Sequence, residues 1–324
     1  MQHELAAELL ADRGEAAQGE EFFRCREFLD AEDVTHTLRI ESDRGELLAP
    51  LIVREVLGSD LRDAISPYGY PGLALRPGRD VRSIDPTPMG TIDQTLVDFS
   101  SIGLVSVFLR HALGAPPLAG AAERNVVQIA DPALPQKRRG SDRNRINKNR
   151  RAGYGVVVEP GPQASAARRA GFLAAYEQTM RRTGAAERYF FADAWFERIL
   201  ASPATWLTVA HAPGGDVAAA SIAVRSDGFL HYFLSGSADD HLRDSPMRNV
   251  IAALVDLAAD QELPLNLGGG ISPGDRLEEF KRGFANREQP WQVSEIVCDH
   301  EAYERLSAGR DAAGFFPAYR AGSL

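Results

Sequence analysis

The stretch LNLGGGISPGDRLEEFKRGF (residues 265–284) places three consecutive glycines shortly before a helix-forming segment. Gly268, Gly269 and Gly270 permit positive backbone angles and let a ligand approach the main chain closely. The helix that follows offers unpaired N–H groups at its start. The order strand, glycine loop, helix is therefore suited to binding an acyl donor or a phosphate, although ordinary turns use the same residues.

Lys281 interrupts the apolar side of that helix. The apolar residues at helical spacing are Leu277, Phe280 and Phe284. Lys281 joins their face, and Glu278 is expected to point away from it. A lysine there either runs its alkyl stem along the core with the amine in solvent or directs the amine into a cleft. The glycines just before the helix favour the cleft.

Two tyrosines in the first half of the chain lie in the segment SPYGYPG (residues 66–72). Proline and glycine neighbours stiffen this segment, so Tyr68 and Tyr70 could present directed hydroxyls to a substrate. A surface loop whose tyrosines cover the edge of a core is an equally good interpretation.

His231 and Tyr232 lie in a predicted strand and point to opposite sides of it. His231 shares its side with Phe229 and Phe233. This favours a hydrogen-bonded core histidine, with a general base in a cleft as the alternative. Tyr232 is a candidate for substrate binding.

Three polar residues lie where a long helix is expected to begin, near Pro246. Asp244 is a candidate catalytic residue, and Arg248 and Asn249 are candidates for substrate binding. Helix capping and surface charge are the alternative roles. The motifs typical of serine hydrolases, zinc proteases and P-loop NTPases are absent from the sequence, which argues against those classes.

The overall charge argues against a uniformly basic nucleic-acid binder. The 324 residues include 36 Lys and Arg and 45 Asp and Glu, for a net charge of −9. The segment KRRGSDRNRINKNRR (residues 137–151) differs, because it holds eight basic residues and one acid. It could bind phosphates or form a solvated helix face. The candidate phosphate contacts are Arg143, Arg145, Lys148, Arg150 and Arg151.

Cysteine use and hydropathy indicate a cytoplasmic protein. The two cysteines, Cys25 and Cys298, are far apart and have no metal-site spacing, so neither a disulfide framework nor a metal site is expected. The N-terminal sequence lacks the apolar core of a signal peptide, and no apolar run is long enough to cross a membrane.

The second half of the chain has the clearer pattern of elements. From Tyr154 onward the periodicity predicts the order β-α-α-β-β-β-α-β-α-β. In the first half it predicts helices near 4–11, 20–29 and 91–101, and strands near 104–109 and 125–129. It also predicts a hairpin that joins 37–41 to 47–56 across Arg44 and Gly45.

Four strings together resemble the Fem-like branch of the GNAT superfamily of acyltransferases. They are SPYGYPG, RRGSDRNRINKNRRAGYGV, YEQTMRRTGAAERYFF and LNLGGGISPGDRLEEFKRGF. The strings fall in both halves, so the resemblance covers most of the chain. The last string is the most specific, with its LGGG strand end and its Phe-Lys-x-x-Phe motif.

The resemblance implies an α/β fold with a mixed sheet, built as two tandem GNAT-like domains that pack together. The expected ranges are 1–139 for the N-terminal domain and 140–324 for the C-terminal domain, which carries the active-site motif. The basic segment would join the two halves. The sheet of such a domain splays in the middle and leaves a cleft for an acyl donor.

The resemblance also implies an activity. Fem-like enzymes transfer an aminoacyl group from aminoacyl-tRNA to an amine, which is usually a peptidoglycan precursor and in some relatives a secondary metabolite such as an antibiotic. The lysine of the motif matches Lys281, and its implied role is to stabilise the oxyanion. Charged tRNA is then the expected co-substrate and partner of the basic segment, with no bound cofactor.

Two departures from the family pattern keep alternatives open. The chain lacks the helical arm that some cell-wall enzymes carry, which puts a peptidoglycan acceptor in doubt. It also reads RDSPMRN at 243–249, where coenzyme A-dependent relatives carry a glycine-rich pyrophosphate loop. A coenzyme A-dependent N-acyltransferase acting on a small amine and a non-catalytic binding protein of the same fold remain alternatives. The acceptor, the aminoacyl group, the general base and the oligomeric state stay open.

Overall fold

The computed structural model describes residues 5–42, 45–77, 92–136, 138–272, 274–312 and 314–321. The described chain forms two compact units. The first unit comprises the described residues of Met1–Arg124 and Trp291–Leu324, and the second is Asn125–Pro290. These ranges differ from the predicted 1–139 and 140–324, because the C-terminal segment packs with the first unit.

The elements are named in chain order. The strands are β1 (Leu5–Leu10), β2 (His36–Ser42), β3 (Gly45–Glu55), β4 (Arg62–Ile65), β5 (Ala74–Pro77), β6 (Val97–Asp98), β7 (Ser106–Arg110), β8 (Ala122–Ala130), β9 (Gly155–Pro160), β10 (Thr205–His211), β11 (Val217–Ser226), β12 (Phe229–Ser237), β13 (Leu265–Asn266) and β14 (Arg287–Val297). The α-helices are α1 (Arg26–Ala31), α2 (Gly140–Arg151), α3 (Ala166–Thr183), α4 (Asp193–Ala201), α5 (Met247–Asp260), α6 (Arg276–Arg282) and α7 (His300–Ser307).

The first unit is built on a mixed sheet in the order β6-β1-β2-β3-β4-β7-β14, with β5 added beside β3. Pairing is antiparallel except between β6 and β1 and between β4 and β7. The predicted hairpin is confirmed, since β2 pairs with β3 from His36↔Leu51 to Ser42↔Gly45. Arg44 lies outside the described residues.

Two predicted helices of the first unit are wrong. Residues 5–10 form β1, because they pair with β2 from Ala6↔Glu41 to Leu10↔Thr37 and so gain partners that their own segment cannot supply. The described part of 91–101 holds short 3₁₀ turns and β6. There the side chains of Asp93 and Asp98 accept hydrogen bonds from N–H groups two residues later, which competes with an α-helix.

The second unit, together with β14 of the first, has the predicted order of elements. Its strands lie in the order β8-β13-β12-β11-β10-β9, and α5 packs on them through an apolar cluster that includes Val250, Leu254 and Leu230. Ser165 caps α3 and accepts from the N–H of Arg168, a role that serine favours at the start of a helix. The basic segment forms α2, which belongs to this unit; Lys137 lies outside the described residues.

The sheet of the second unit opens between β12 and β13. These parallel strands share two residue pairs, Leu230↔Leu265 and His231↔Asn266. Beyond them the chain after β13 stays with β8, where Leu267 N–H donates to Gln128 O at 2.9 Å. Strand β12 has an irregularity at the same level, because its register with β11 shifts by one residue between Ala223↔Tyr232 and Ile222↔Leu234. The strands therefore diverge immediately after His231 and Asn266.

Candidate active site

The loop at the open end of β13 is held by a short helix that follows it. Asp275 caps α6, and its carboxylate accepts from the N–H groups of Glu278 at 2.8 Å, Ile271 at 2.6 Å and Ser272 at 3.0 Å. These bonds hold the pKa of Asp275 below its usual value. The charged cap therefore ties the glycine loop to the start of the helix.

Lys281 directs its amine toward the glycine loop. The side chain is buried, and Nζ donates to Gly269 O at 2.7 Å. An added Cβ on Gly268 would lie 3.0 Å from Nζ, and the backbone there has a φ of +77°. Glycine is thus required at this position both by the backbone angle and by the amine beside it. The amine is thus buried against the main chain of the loop and does not extend into solvent.

Burial lowers the pKa of the Lys281 ammonium to about 8, and the charge of Asp275 partly opposes this shift. Gly269 O takes one of the three N–H bonds of the amine. Among the residues that the structure describes, no other acceptor is recorded for it. Two donors of a partly desolvated cation therefore remain for a ligand oxygen.

The face of α6 that carries Lys281 differs from the predicted one. Leu277 is 40% exposed, while Glu278 is only 6% exposed. Glu278 accepts from the N–H of Gly274 at 2.8 Å and forms an ion pair with Arg282. The buried carboxylate closes the first turn of the helix, and this contact rather than hydropathy sets which side faces inward.

The other two glycines of the loop are needed for close packing. An added Cβ on Gly269 would lie 2.5 Å from the amide of Asn125, and one on Gly270 would lie 2.6 Å from Asp275 Oδ1. Asn125 Nδ2 donates to Gly270 O at 3.1 Å. The three glycines thus let one lysine, one asparagine and one aspartate pack directly against the main chain.

His231 is a hydrogen-bonded core histidine. It is buried, its Nε2 lies 3.2 Å from Ser226 O, and its Nδ1 lies 3.0 Å from Asn266 Nδ2. Burial lowers its pKa to about 4. Both ring nitrogens bind protein atoms, so the general-base interpretation has no support in this geometry. Its neighbour Tyr232 is half-buried and donates to Ser235 Oγ at 2.6 Å, and burial raises its pKa to about 12.

The three polar residues near the start of α5 bind to other parts of the second unit. Arg248 Nε donates to the buried Asp142 at 2.7 Å, and Asn249 Oδ1 accepts from Asn149 Nδ2 at 2.8 Å. Asp244 accepts from the hydroxyl of Tyr154 at 2.9 Å. These contacts attach α5 and the turn before it to α2 and to the residue that precedes β9, which gives all three side chains a structural role.

The basic helix α2 packs against the helix that carries Lys281. Arg139 N–H donates to Gly283 O at 3.3 Å, and an added Cβ on Gly283 would lie 2.5 Å from Asp142. Arg248, bound to Asp142, also lies over the ring of Phe280 at 5.2 Å. The buried residues of α2 are Asp142, Ile146 and Asn149.

The opposite side of α2 is strongly basic. Arg143, Lys148, Arg150 and Arg151 are exposed. Arg145 is half-buried and lies 3.9 Å from Asp244. These five residues, called the basic face below, are the predicted phosphate contacts, and the structure presents four of them to solvent.

The predicted tyrosine pair lies in the first unit. The N–H of Tyr68 donates to Glu32 at 2.8 Å, and the ring of Tyr70 packs edge-on against Phe23 and Trp291. Both side chains are half-buried. These contacts fit the interpretation of tyrosines that cover the edge of a core.

Sequence reasoning missed Asn266, Asn125 and Glu278. Asn266 lies inside the LNLGGG string, and a polar residue between two leucines of a short buried strand is the signal that could have identified it. Asn125 carries no comparable signal, because its contact with the loop joins residues 145 positions apart. The rarity of lysine is a further signal that singles out Lys281, because the 36 basic residues of the sequence include three lysines, Lys137, Lys148 and Lys281.

Asp275→Asn is expected to lower the pKa of Lys281 below about 8. The amide keeps an oxygen for the helix cap but removes the negative charge that favours the ammonium. The measurement is a pH titration of the lysine ¹³Cε signals, which is simple with three lysines in the chain. Glu279→Gln removes an exposed charge from the same helix and should leave the midpoint unchanged. A midpoint that stays constant or rises in Asp275→Asn, while the Gly268 amide bound to Asn266 still exchanges its hydrogen slowly and so reports an intact loop, would contradict this electrostatic coupling.

Comparisons with known proteins identify a family model that covers Lys281 and several solved structures with a similar fold. Residues 136–282 match a family model described as an acetyltransferase (GNAT) domain. The fold is similar to that of FemX, with a TM-score of 0.54 and 9% identity over 83% of this chain and 89% of that one. A comparison with curated proteins found no match. No helix among the described residues is long and apolar enough to span a membrane.

Two further solved structures share the fold. L-PGS from Bacillus licheniformis has a TM-score of 0.52 and 12% identity, over 82% of this chain and 85% of that one. The C-terminal domain of a putative lysylphosphatidylglycerol synthetase from Agrobacterium fabrum has a TM-score of 0.51 and 12% identity, over 90% and 93% of the two chains. Residues 136–282 of the chain therefore match the GNAT domain model, and the chain has the fold of FemX.

Proposed function

We propose that this protein is an aminoacyltransferase that moves an aminoacyl group from aminoacyl-tRNA to an amine and forms an amide bond. The observation that carries the proposal is the buried Lys281 amine, which lies against the glycine loop at the open end of the sheet. An acceptor of the peptidoglycan-precursor or secondary-metabolite class fits the Fem-like resemblance.

Lys281 supplies the chemistry that acyl transfer needs most. When an amine attacks an ester carbonyl, negative charge develops on the carbonyl oxygen, and a fixed cation in a poorly solvated site stabilises it strongly. The contact with Gly269 O fixes the amine before the reaction. The other two N–H groups can then point at the oxyanion.

The reaction needs no ATP, because the ester of an aminoacyl-tRNA is already activated. The C–N bond forms as the neutral acceptor amine attacks, and the C–O bond to the ribose then breaks. The proton lost by the amine goes to the ribose oxygen. Neither His231 nor Asp244 is required as a base in this scheme, which agrees with the contacts that both residues make.

The basic face supports tRNA as the donor. It lies on a helix whose N-terminal end contacts the residue after α6, through the bond from Arg139 N–H to Gly283 O. Its charges contrast with the net charge of −9 of the chain. Such a patch attracts phosphates by counterion release.

The structural neighbours support an aminoacyl group as the cargo. One is the C-terminal domain of a putative lysylphosphatidylglycerol synthetase, a name that describes the joining of lysine to a lipid. At 12% identity the likeness lies in the fold, so the aminoacyl group and the acceptor of this chain are part of the proposal.

A coenzyme A-dependent acyltransferase is the second candidate, because the matching family model is described as an acetyltransferase domain. The turn before α5 does not favour it. Ser245 has a φ of +49°, and the segment after it uses Arg248 and Asn249 for packing against α2 rather than glycines with free N–H groups.

The test is to incubate the protein with pools of charged tRNA and, separately, with acyl-CoA, and to measure which donor is consumed with a panel of amine acceptors. Consumption of charged tRNA that is lost in Lys281→Met supports the proposal. Consumption of acyl-CoA alone would replace it with the second candidate. A protein inert with both donors and all acceptors would favour a binding protein of the same fold.

A further inference from the structure

A chain of hydrogen bonds leads from the core of the second unit to the glycine loop. It begins at Ser226, whose carbonyl oxygen lies 3.2 Å from His231 Nε2. A carbonyl can only accept, so Nε2 carries the ring proton and Nδ1 is left as an acceptor. Asn266 Nδ2 donates to that Nδ1 at 3.0 Å. The tautomer of His231 is therefore set by its contact with Ser226.

The orientation of the Asn266 amide is set by the same contacts. Because its NH₂ group faces His231, its Oδ1 faces the loop and accepts from the N–H of Gly268 at 2.8 Å. A flipped amide would place two donors against each other at Gly268. Asn266 is buried, so water would not replace the lost bonds, and the flipped state is costly.

Gly268 is the point at which this restraint reaches Lys281. Its φ of +77° turns the chain, and the carbonyl of the next residue, Gly269, accepts from Lys281 Nζ at 2.7 Å. Three successive glycines impose little conformational restraint of their own. The cap from Asn266 limits the conformations of the loop on the amide side of Gly268, while the N–H of Gln128 binds Gly268 O at 3.1 Å on the other side.

His231 and Asn266 also lie at the end of a strand pairing in the sheet. His231 and Asn266 are the last residue pair of the parallel ladder between β12 and β13. Their side chains join the two strands at the point where the main chains part. The bond between His231 and Asn266 thus fixes the point from which β12 and β13 diverge, as well as the loop that follows β13.

We infer that His231 is a positioning residue, which holds the loop 268–270 and the acceptor of Lys281 in place through the Asn266 amide. Its consequence for catalysis rests on the proposed function, whereas the hydrogen-bond chain does not depend on any substrate. Burial keeps the pKa of His231 near 4, so the ring stays neutral at pH 7 and Nδ1 remains an acceptor.

Two substitutions separate the roles of the ring nitrogens. Asparagine places its side-chain oxygen near the position of Nδ1, so His231→Asn keeps an acceptor for Asn266 and loses the bond to Ser226. Glutamine reaches the position of Nε2, so His231→Gln keeps a donor for Ser226 and loses the acceptor for Asn266. Both remove the ring and a similar amount of packing, which makes them a matched pair. Asn266→Leu removes the whole link.

The readout is the titration midpoint of the Lys281 ¹³Cε signal, assigned with Lys281→Met. In His231→Gln and Asn266→Leu the loop relaxes and water reaches the amine, so the midpoint should rise from about 8 by about one pH unit toward its ordinary value. His231→Asn should keep the wild-type midpoint. A wild-type midpoint in folded His231→Gln, or an equal rise in both histidine variants, would overturn the inference.

A measurement on the unsubstituted protein tests the inference even if the variants fail to fold. The Gly268 amide should exchange its hydrogen slowly, since its N–H binds the buried Asn266. Exchange as fast as in an unstructured glycine would equally overturn the inference. Neither readout needs a donor, so failure of the positioning role and failure of the proposed aminoacyl transfer are distinguished.

Discussion

Replacing Lys281 with methionine is expected to lower the rate of aminoacyl transfer by about 10²–10³-fold, the usual effect of removing one oxyanion donor. Methionine has a similar length and can occupy the same buried space, so the loss reports on the ammonium. The measurement is single-turnover transfer with saturating donor. Lys148→Met removes a lysine from the basic face and should leave this single-turnover rate nearly unchanged.

The pH dependence of the wild-type rate tests the same role. The ammonium form of Lys281 stabilises the oxyanion, and burial lowers its pKa to about 8. Divided by the fraction of neutral acceptor amine, the rate should therefore fall as the pH rises through about 8. Were Lys281 a general base, the rate corrected in the same way would instead rise through that pH.

The folding of Lys281→Met is checked by thermal unfolding, and its Tm at pH 7 should be at least that of the wild type. Below pH 8 the lysine is protonated in both the folded and unfolded states, and the folded state bears the full cost of the buried charge. That cost disappears as the pH rises from about 8 to 10.5, because the folded state releases its proton first. After subtraction of the lost hydrogen bond to Gly269, the free energy of unfolding of Lys281→Met at pH 7 should exceed that of the wild type by about 2 kcal/mol.

A normal rate in well-folded Lys281→Met would remove this residue from the chemistry. A lower Tm together with a lower rate would indicate that the variant is damaged rather than chemically impaired. In that case the pH dependence of the wild-type rate decides whether Lys281 takes part in the chemistry, because the change near pH 8 is measured on the unsubstituted protein.

The affinity for charged tRNA is expected to fall about 10²-fold between 50 and 200 mM salt, if about four residues of the basic face each neutralise one phosphate. The physical reason is the release of one condensed counterion for each contact. Arg143, Lys148, Arg150 and Arg151 are exposed on that face and available for such contacts. The measurement is the dissociation constant as a function of salt.

The double variant Lys148→Gln/Arg151→Gln should reduce the slope of log Kd against log salt by about 2. Arg181→Gln/Arg225→Gln removes two exposed charges elsewhere on the second unit and serves as the matched control. Equal slopes in the two double variants would show that the basic face does not contact the donor. A transfer rate without any salt dependence would favour a small donor over tRNA.

The sequence determined most of the second unit. Its elements follow from regular hydropathy and from local stop and start signals, such as the cap at Ser165, the proline before α5 and the cap at Asp275. These signals act over one or two turns, so they can be read from the chain itself. The position of Lys281 beside the glycine loop also follows, because twelve residues separate the amine from its acceptor.

Tertiary structure decided the rest. Residues 5–10 became a strand because β2 pairs with them, and the C-terminal segment packs with the first unit because β14 pairs with β7. Glu278 rather than Leu277 faces inward because of its bonds to Gly274 and Arg282. The role of His231 depends on Asn266, 35 residues away. Such contacts join residues that share no local pattern, so only the folded chain brings them together.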